Sequence, residues 1–163
     1  MQVAAVIEGM IRFYHGNCHD ISHFLKVYAY AKTIGELEGL PPEVQRTLET
    51  AAVVHDIACP LCREKYGHAD GKLQEAEGPA LAKSLLEELG CPAPLTERVC
   101  WLVGHHHTYT DVDGLDHRIL LEADYLVNAD EGAQAEAAIR AARREFFRTK
   151  AGIRLLDTIY LEK

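Results

Sequence analysis

The chain has 163 residues, 48% of them hydrophobic and 7% aromatic, enough apolar material for one compact core. Lys and Arg total 17 against 25 Asp and Glu, a formal charge of −8, which excludes a broad basic surface for a nucleic-acid duplex but leaves room for a small anionic substrate beside a bound dication. No window reaches the roughly 18 apolar residues of a membrane span, Met1 to Arg12 lacks the pattern of a signal peptide, and the five cysteines form no disulfide scaffold, so a reducing cytoplasm is expected.

In chain order, Val3, Ile7, Met10 and Ile11 recur at helical spacing before a break at Gly16-Asn17. Asp20 reads as the N-cap of a second helix from Ile21 to about Glu38, with Phe24, Val27, Tyr28, Ala31 and Ile34 on one face and Gly39 as its stop. Pro41-Pro42 opens a third, whose stripe of Val44, Leu48, Ala51 and Ala52 runs to His55 and ends near Asp56. Residues 57–71, with Pro60, Gly67 and Gly71, read as a surface loop, and Gly78-Pro79 confines the next helix to Pro79 through Leu89. Further helices are expected over Leu95 to about His105 and Asp116 to Asn128, with a turn at Asp113-Gly114 between them. From about Ala133 the chain is Ala-rich and basic, then ends in a helix carrying Ile153, Leu155, Leu156 and Ile159. No strand pattern, internal repeat or linker interrupts this series, so the expectation is an all-α, single-domain helical bundle over residues 1–163.

Three of these helices place polar groups where apolar ones belong. Asp124 has Leu120 and Leu121 one turn before it and Val127 one turn after, so it points inward, and a buried carboxylate costs several kcal/mol (roughly) unless paired or bound to a cation. His55 continues an apolar stripe with Asp56 beside it, and His23 sits at the edge of the Phe24 and Val27 face. Singly, each is more often a satisfied core group than a ligand. Together they are accounted for by one divalent metal in a mixed nitrogen and oxygen site suited to Mn, Fe, Co, Ni or Zn, with Mg also admitted. His19 competes with His23, since His19 and His23 have the spacing of a zinc pair.

The segments His19 to Val27, Val54-His55-Asp56-Ile57 and Glu122 to Leu126 resemble the HD-domain superfamily of metal-dependent phosphohydrolases, whose pattern is a His, a His-Asp pair and a distant Asp. The resemblance implies a helical bundle of the HD-domain type, selects His23 over His19, and gives the ligand roles to His23, His55, Asp56 and Asp124. It also implies a small phosphorylated substrate, nucleotide-like in character, cleaved at an ester or anhydride. Members with two metals use two more histidines; near the first expected position this chain has Glu77-Gly78-Pro79, so a single-metal centre is expected. Asp56, Glu77 and His105 are the candidates for acid-base roles, and Lys65, Lys72, His106 and Tyr109 for substrate contact. A noncatalytic metal or nucleotide sensor is the alternative, with a di-iron oxygenase on the same scaffold a third. Cys59-Pro60-Leu61-Cys62 lacks the strand context of a redox motif and a second pair for a zinc site, and reads as two ordinary thiols.

Overall fold

The computed structural model describes residues 2–162, and among them every regular element is helical: α1 (Val3–Tyr14), α2 (Cys18–Leu37), α3 (Pro42–Val54), α4 (Cys59–Tyr66), α5 (Gly71–Glu88), α6 (Ala93–Val103), α7 (Gly114–Glu131), α8 (Glu136–Glu145) and α9 (Lys150–Leu156), with a π-helical turn over Asp157–Leu161. The all-α expectation holds. At the centre, α3 packs against α1, α2, α6 and α7, while α2 also lies along α7 and α5 pairs with α6. The end of α3 explains its place: Leu48 through Val54 are all buried, a helix enclosed on every side, and the small Ala51, Ala52, Val53 and Val54 let its neighbours come close.

Four local readings need correction. The second helix starts at Cys18, capped by Asn17, whose side chain accepts from the Asp20 amide at 3.2 Å and donates to the Asp20 carboxylate at 2.8 Å. Asp20 is therefore inside the first turn, where its carboxylate also takes a forked pair of hydrogen bonds from Arg63. Residues 57–71 are not a loop throughout, because α4 fills their middle: Pro60 lies in its first turn, Gly67 closes it at φ +80°, and Cys59 and Cys62 anchor it in the core.

Gly78-Pro79 does not stop α5, which runs on from the N-cap Asp70. A proline inside a helix costs about 3 kcal/mol, here opposed by packing: Gln74, Gly78, Ala82 and Leu86 form one buried stripe, and α6 comes so close to Gly78 that a Cβ there would fall 2.6 Å from Val103 Cγ1. Finally, the basic stretch after Ala133 is itself helical as α8, before the expected last helix begins.

Candidate metal centre

His23 lies on the buried stripe of α2, between Asp20 and Phe24 and one turn before Val27. His55 follows the enclosed end of α3 and is fully buried, while Asp124 comes from the middle of α7 with 2% exposure. His19 is exposed, on another face of the same helix as His23. The three helices bring together the side chains that the sequence singled out. His23 Nε2 lies 3.3 Å from His55 Nε2, 3.2 Å from Asp124 Oδ1 and 3.1 Å from Asp56 Oδ2. His55 Nε2 lies 3.3 Å from the same Asp124 oxygen and 3.4 Å from the same Asp56 oxygen.

The outer nitrogens fix what these inner atoms are. His55 Nδ1 faces the Ala52 carbonyl at 2.8 Å and His23 Nδ1 faces Glu131 Oε2 at 2.9 Å. Carbonyls and carboxylates only accept, so both Nδ1 atoms carry hydrogen and each neutral ring presents a bare Nε2 lone pair inward. Two lone pairs and two carboxylates thus converge in a buried space, which is stable only with added positive charge. Spacings of 3.1 to 3.4 Å between neighbouring donors match roughly the edge of a tetrahedral or octahedral shell with bonds of about 2.0–2.2 Å. The residues fit a divalent metal.

Without one, protons do the work. Burial lowers both imidazole pKa values, but the Asp124 and Asp56 carboxylates outweigh it and hold His23 at about 11 and His55 at about 10. Burial likewise opposes ionisation of Asp56 and Asp124, yet the neighbouring imidazoles keep both well below the usual carboxylate range.

A second set of groups extends from Asp56. Asp56 Oδ1 lies 3.3 Å from His106 Nε2, and His106 Nδ1 donates to the Val103 carbonyl at 2.7 Å. Asp56, His106 and His107 offer atoms within 4.8 Å of one another. Gln74 Oε1 stands 3.0 Å from His106 Nε2 and 3.1 Å from His107 Nε2, so α5 turns Gln74 toward these rings, one turn earlier than the Glu77-Gly78-Pro79 position on which the sequence reading focused. Glu77 instead takes hydrogen bonds from Lys65 at 2.8 Å and Tyr66 at 2.6 Å near the surface. His105 is also outside the cluster: its ring stacks on Trp101 with centroids 3.9 Å apart, and its Nδ1 donates to the Trp101 carbonyl.

Lys72 and Tyr109 line a cavity of about 500 Å³ together with Glu75, His107, Thr108 and Thr110. Glu75 accepts from the His107 amide and the Thr108 hydroxyl, fixing that wall, while burial lowers the His107 pKa and favours a neutral ring. Sequence reasoning missed Gln74, Glu75, Glu131 and Tyr14, whose hydroxyl donates to the Asp56 carbonyl at 2.6 Å. Tyr14 left a signal as a polar-tipped aromatic on the buried face of α1, and Gln74 as a polar residue at the head of the Gly78, Ala82 and Leu86 stripe; Glu75 and Glu131 look like ordinary helix-surface residues.

A helical scaffold with paired imidazoles and carboxylates at its centre defines a class of protein whose central groups could hold a divalent cation. The HD domain family model matches residues 20–129, more than half of the chain, and the chain belongs to the HD-domain family. It is also similar to a predicted HD superfamily hydrolase from an uncultured Thermotogales bacterium, known from a crystal structure at 1.45 Å, with 26% identity and a TM-score of 0.64 over 97% of this chain and 83% of that one. No curated protein matches the chain. No helix among the described residues is long and apolar enough to cross a membrane.

Proposed function

We propose that this protein is a metal-dependent phosphohydrolase, with His23, His55, Asp56 and Asp124 holding one divalent cation and a small, nucleotide-like phosphate ester or anhydride as substrate. The carrying observation is the convergence of four acceptor groups beside a cavity with a cationic wall residue, Lys72. The HD-domain family and the similar predicted hydrolase support the hydrolytic reading. A divalent ion held by this donor set supplies Lewis acidity and lowers the pKa of a water molecule.

The chain's own residues do the rest. Lys72 attracts the phosphate, Thr110 offers a hydroxyl to its oxygens, and the Tyr109 ring, backed by Phe146 at 4.7 Å, gives an aromatic face for the organic part. The second oxygen of Asp56 lies 3.3 Å from His106 Nε2, whose ring hydrogen is already given to Val103, so these two groups meet only across a shared proton or cation. Gln74 is a neutral amide where an imidazole would strengthen a second ion site, which favours a single-metal hydrolase over a di-iron oxygenase.

The test is turnover. Full-length protein with saturating Mn²⁺ and a broad panel of phosphate esters and anhydrides should release phosphate or pyrophosphate, and Asp56→Ala should reduce this to background. Ligand binding without turnover above the Asp56→Ala control would replace the hydrolase with a sensor.

A further inference from the structure

The acidic chain is locally basic near its end: residues 136–154 hold six Lys or Arg against two acids. Three cations, Arg118 from α7 with Arg148 and Lys150 from the α8 to α9 connection, line one cavity of about 470 Å³, closed on its other side by Glu38, Val112 and Leu115. None of its lining residues belongs to the metal centre or to the cavity beside it.

The two guanidiniums are held in place without an ion pair. Arg118 donates to the Phe146 carbonyl at 2.7 Å, and Arg148 donates to the carbonyls of Arg144, Glu145 and Phe147, so both guanidiniums are fixed by neutral groups. None of the three cations forms an ion pair among the described residues. The nearby acids are engaged elsewhere. Glu38 accepts from the Ala151 amide at 2.7 Å, and the buried Glu122 accepts from the amides of Arg148 and Thr149 and from the Thr149 hydroxyl. Burial lowers the Arg118 pKa and repulsion by Arg148 adds to this, against the attraction of the Glu122 carboxylate.

Arg118 is half-buried beside the exposed Arg148 and Lys150, and like charges brought together this way repel one another unless an anion relieves them. Guanidinium groups pre-organised by backbone carbonyls present their remaining N–H donors at little further entropic cost, the arrangement that suits phosphate oxygens. We infer that this cavity binds a phosphate dianion, either free phosphate or the phosphoryl group of a small metabolite, at a site separate from the metal centre.

Amide chemical shifts of the full-length protein, titrated with inorganic phosphate and, separately, glycerol phosphate, test this directly. Saturable shifts are expected at Leu115, Thr149 and Lys150, and Lys150→Gln should weaken binding by about fivefold or more, with Arg118→Gln weakening it further. Tighter binding of glycerol phosphate would identify an organic ligand; equal binding would identify free phosphate. Should Arg118→Gln fail to fold, Lys150→Gln alone decides. Amides at this cavity that stay still up to about 10 mM phosphate, or unchanged affinity in Lys150→Gln, overturn the site.

Discussion

Two groups of histidines in this chain are both held by hydrogen bonds from their ring nitrogens, yet they do opposite things. In the metal centre, the outer nitrogens of His23 and His55 are spoken for and the inner ones face each other and two carboxylates. Around Trp101, His117 is also fully buried, but both of its nitrogens have fitting partners: Nε2 donates to the His105 carbonyl at 2.8 Å and Nδ1 accepts from the Asp113 amide at 3.1 Å. His105 stacks on the same indole, whose other neighbour is the Arg98 guanidinium. Burial therefore does not identify a ligand histidine; a second nitrogen with only acceptors around it, as in His23, His55 and His106, is what calls for a proton or a cation.

The comparison breaks most sharply at Asp124. Asp124→Asn should abolish metal binding and, with it, the rise in Tm that saturating Mn²⁺ gives the parent protein. At a hundredfold excess over Kd that stabilisation is about 2.7 kcal/mol, or very roughly 5–10 °C for a chain of this size. An equal metal-dependent shift in the Asp124→Asn protein, read by calorimetry, would remove Asp124 from the ligand set.

Next comes Glu131, which takes the Nδ1 proton of His23 and so sets which nitrogen faces inward. Neutralising such a partner lowers metal affinity by about 10–100-fold, so Glu131→Gln should bind Mn²⁺ more weakly by that factor while keeping a stoichiometry of about one. A calorimetric titration giving the parent affinity would leave Glu131 as a mere partner of Lys26, 3.5 Å away.

Protonation provides a third measure. In the metal-free protein His23 and His55, held at about 11 and 10, are imidazolium at neutral pH, and a metal must displace those protons. Binding at pH 7 should release about two protons, seen as a dependence of the apparent enthalpy on buffer ionisation, and affinity should rise with pH. The linkage has the matching sign: because the folded pKa values are raised, their stabilisation of the metal-free protein is complete below about pH 6.5 and is lost as pH rises through about 10 to 11. Binding with no net proton release would show that the cluster is not held together by protons.

Much of this site was legible in the sequence because a polar residue in an apolar stripe is a visible anomaly. His55 and Asp124 betray themselves by periodicity, and the resemblance to the HD-domain family chose His23 over the exposed His19. The misread segments share a cause. Pro60 and Gly67 have the look of loop markers, although a proline in the first turn and a glycine just past the last are also how a short helix begins and ends. Pro79 reads locally as a stop because the packing of Gly78 on Val103, which carries the helix past it, joins residues 25 positions apart. Glu77 and His105 have the chemistry expected of site residues, but the direction each faces is decided by Lys65 and Trp101, which no local pattern predicts.

The smallest effect on the metal centre is expected from His117, where the comparison turns on stability instead. His117→Phe keeps a ring against Trp101 but strips the His105 carbonyl and the Asp113 amide of their partner, at a cost of about 1–3 kcal/mol, with metal affinity unchanged. Burial is the main cause lowering the His117 pKa, so the unfolded chain takes up this proton first as pH falls below about 6.5. The contribution of His117 is thus complete above that pH and shrinks below it, and the stability gap between parent and His117→Phe, measured by urea unfolding, should be narrower at pH 5.5 than at pH 7.5. A gap that widened on acidification would mean that His117 is charged in the fold. The contrast between a neutral, satisfied histidine and the cation-seeking pair of the metal centre would then be lost.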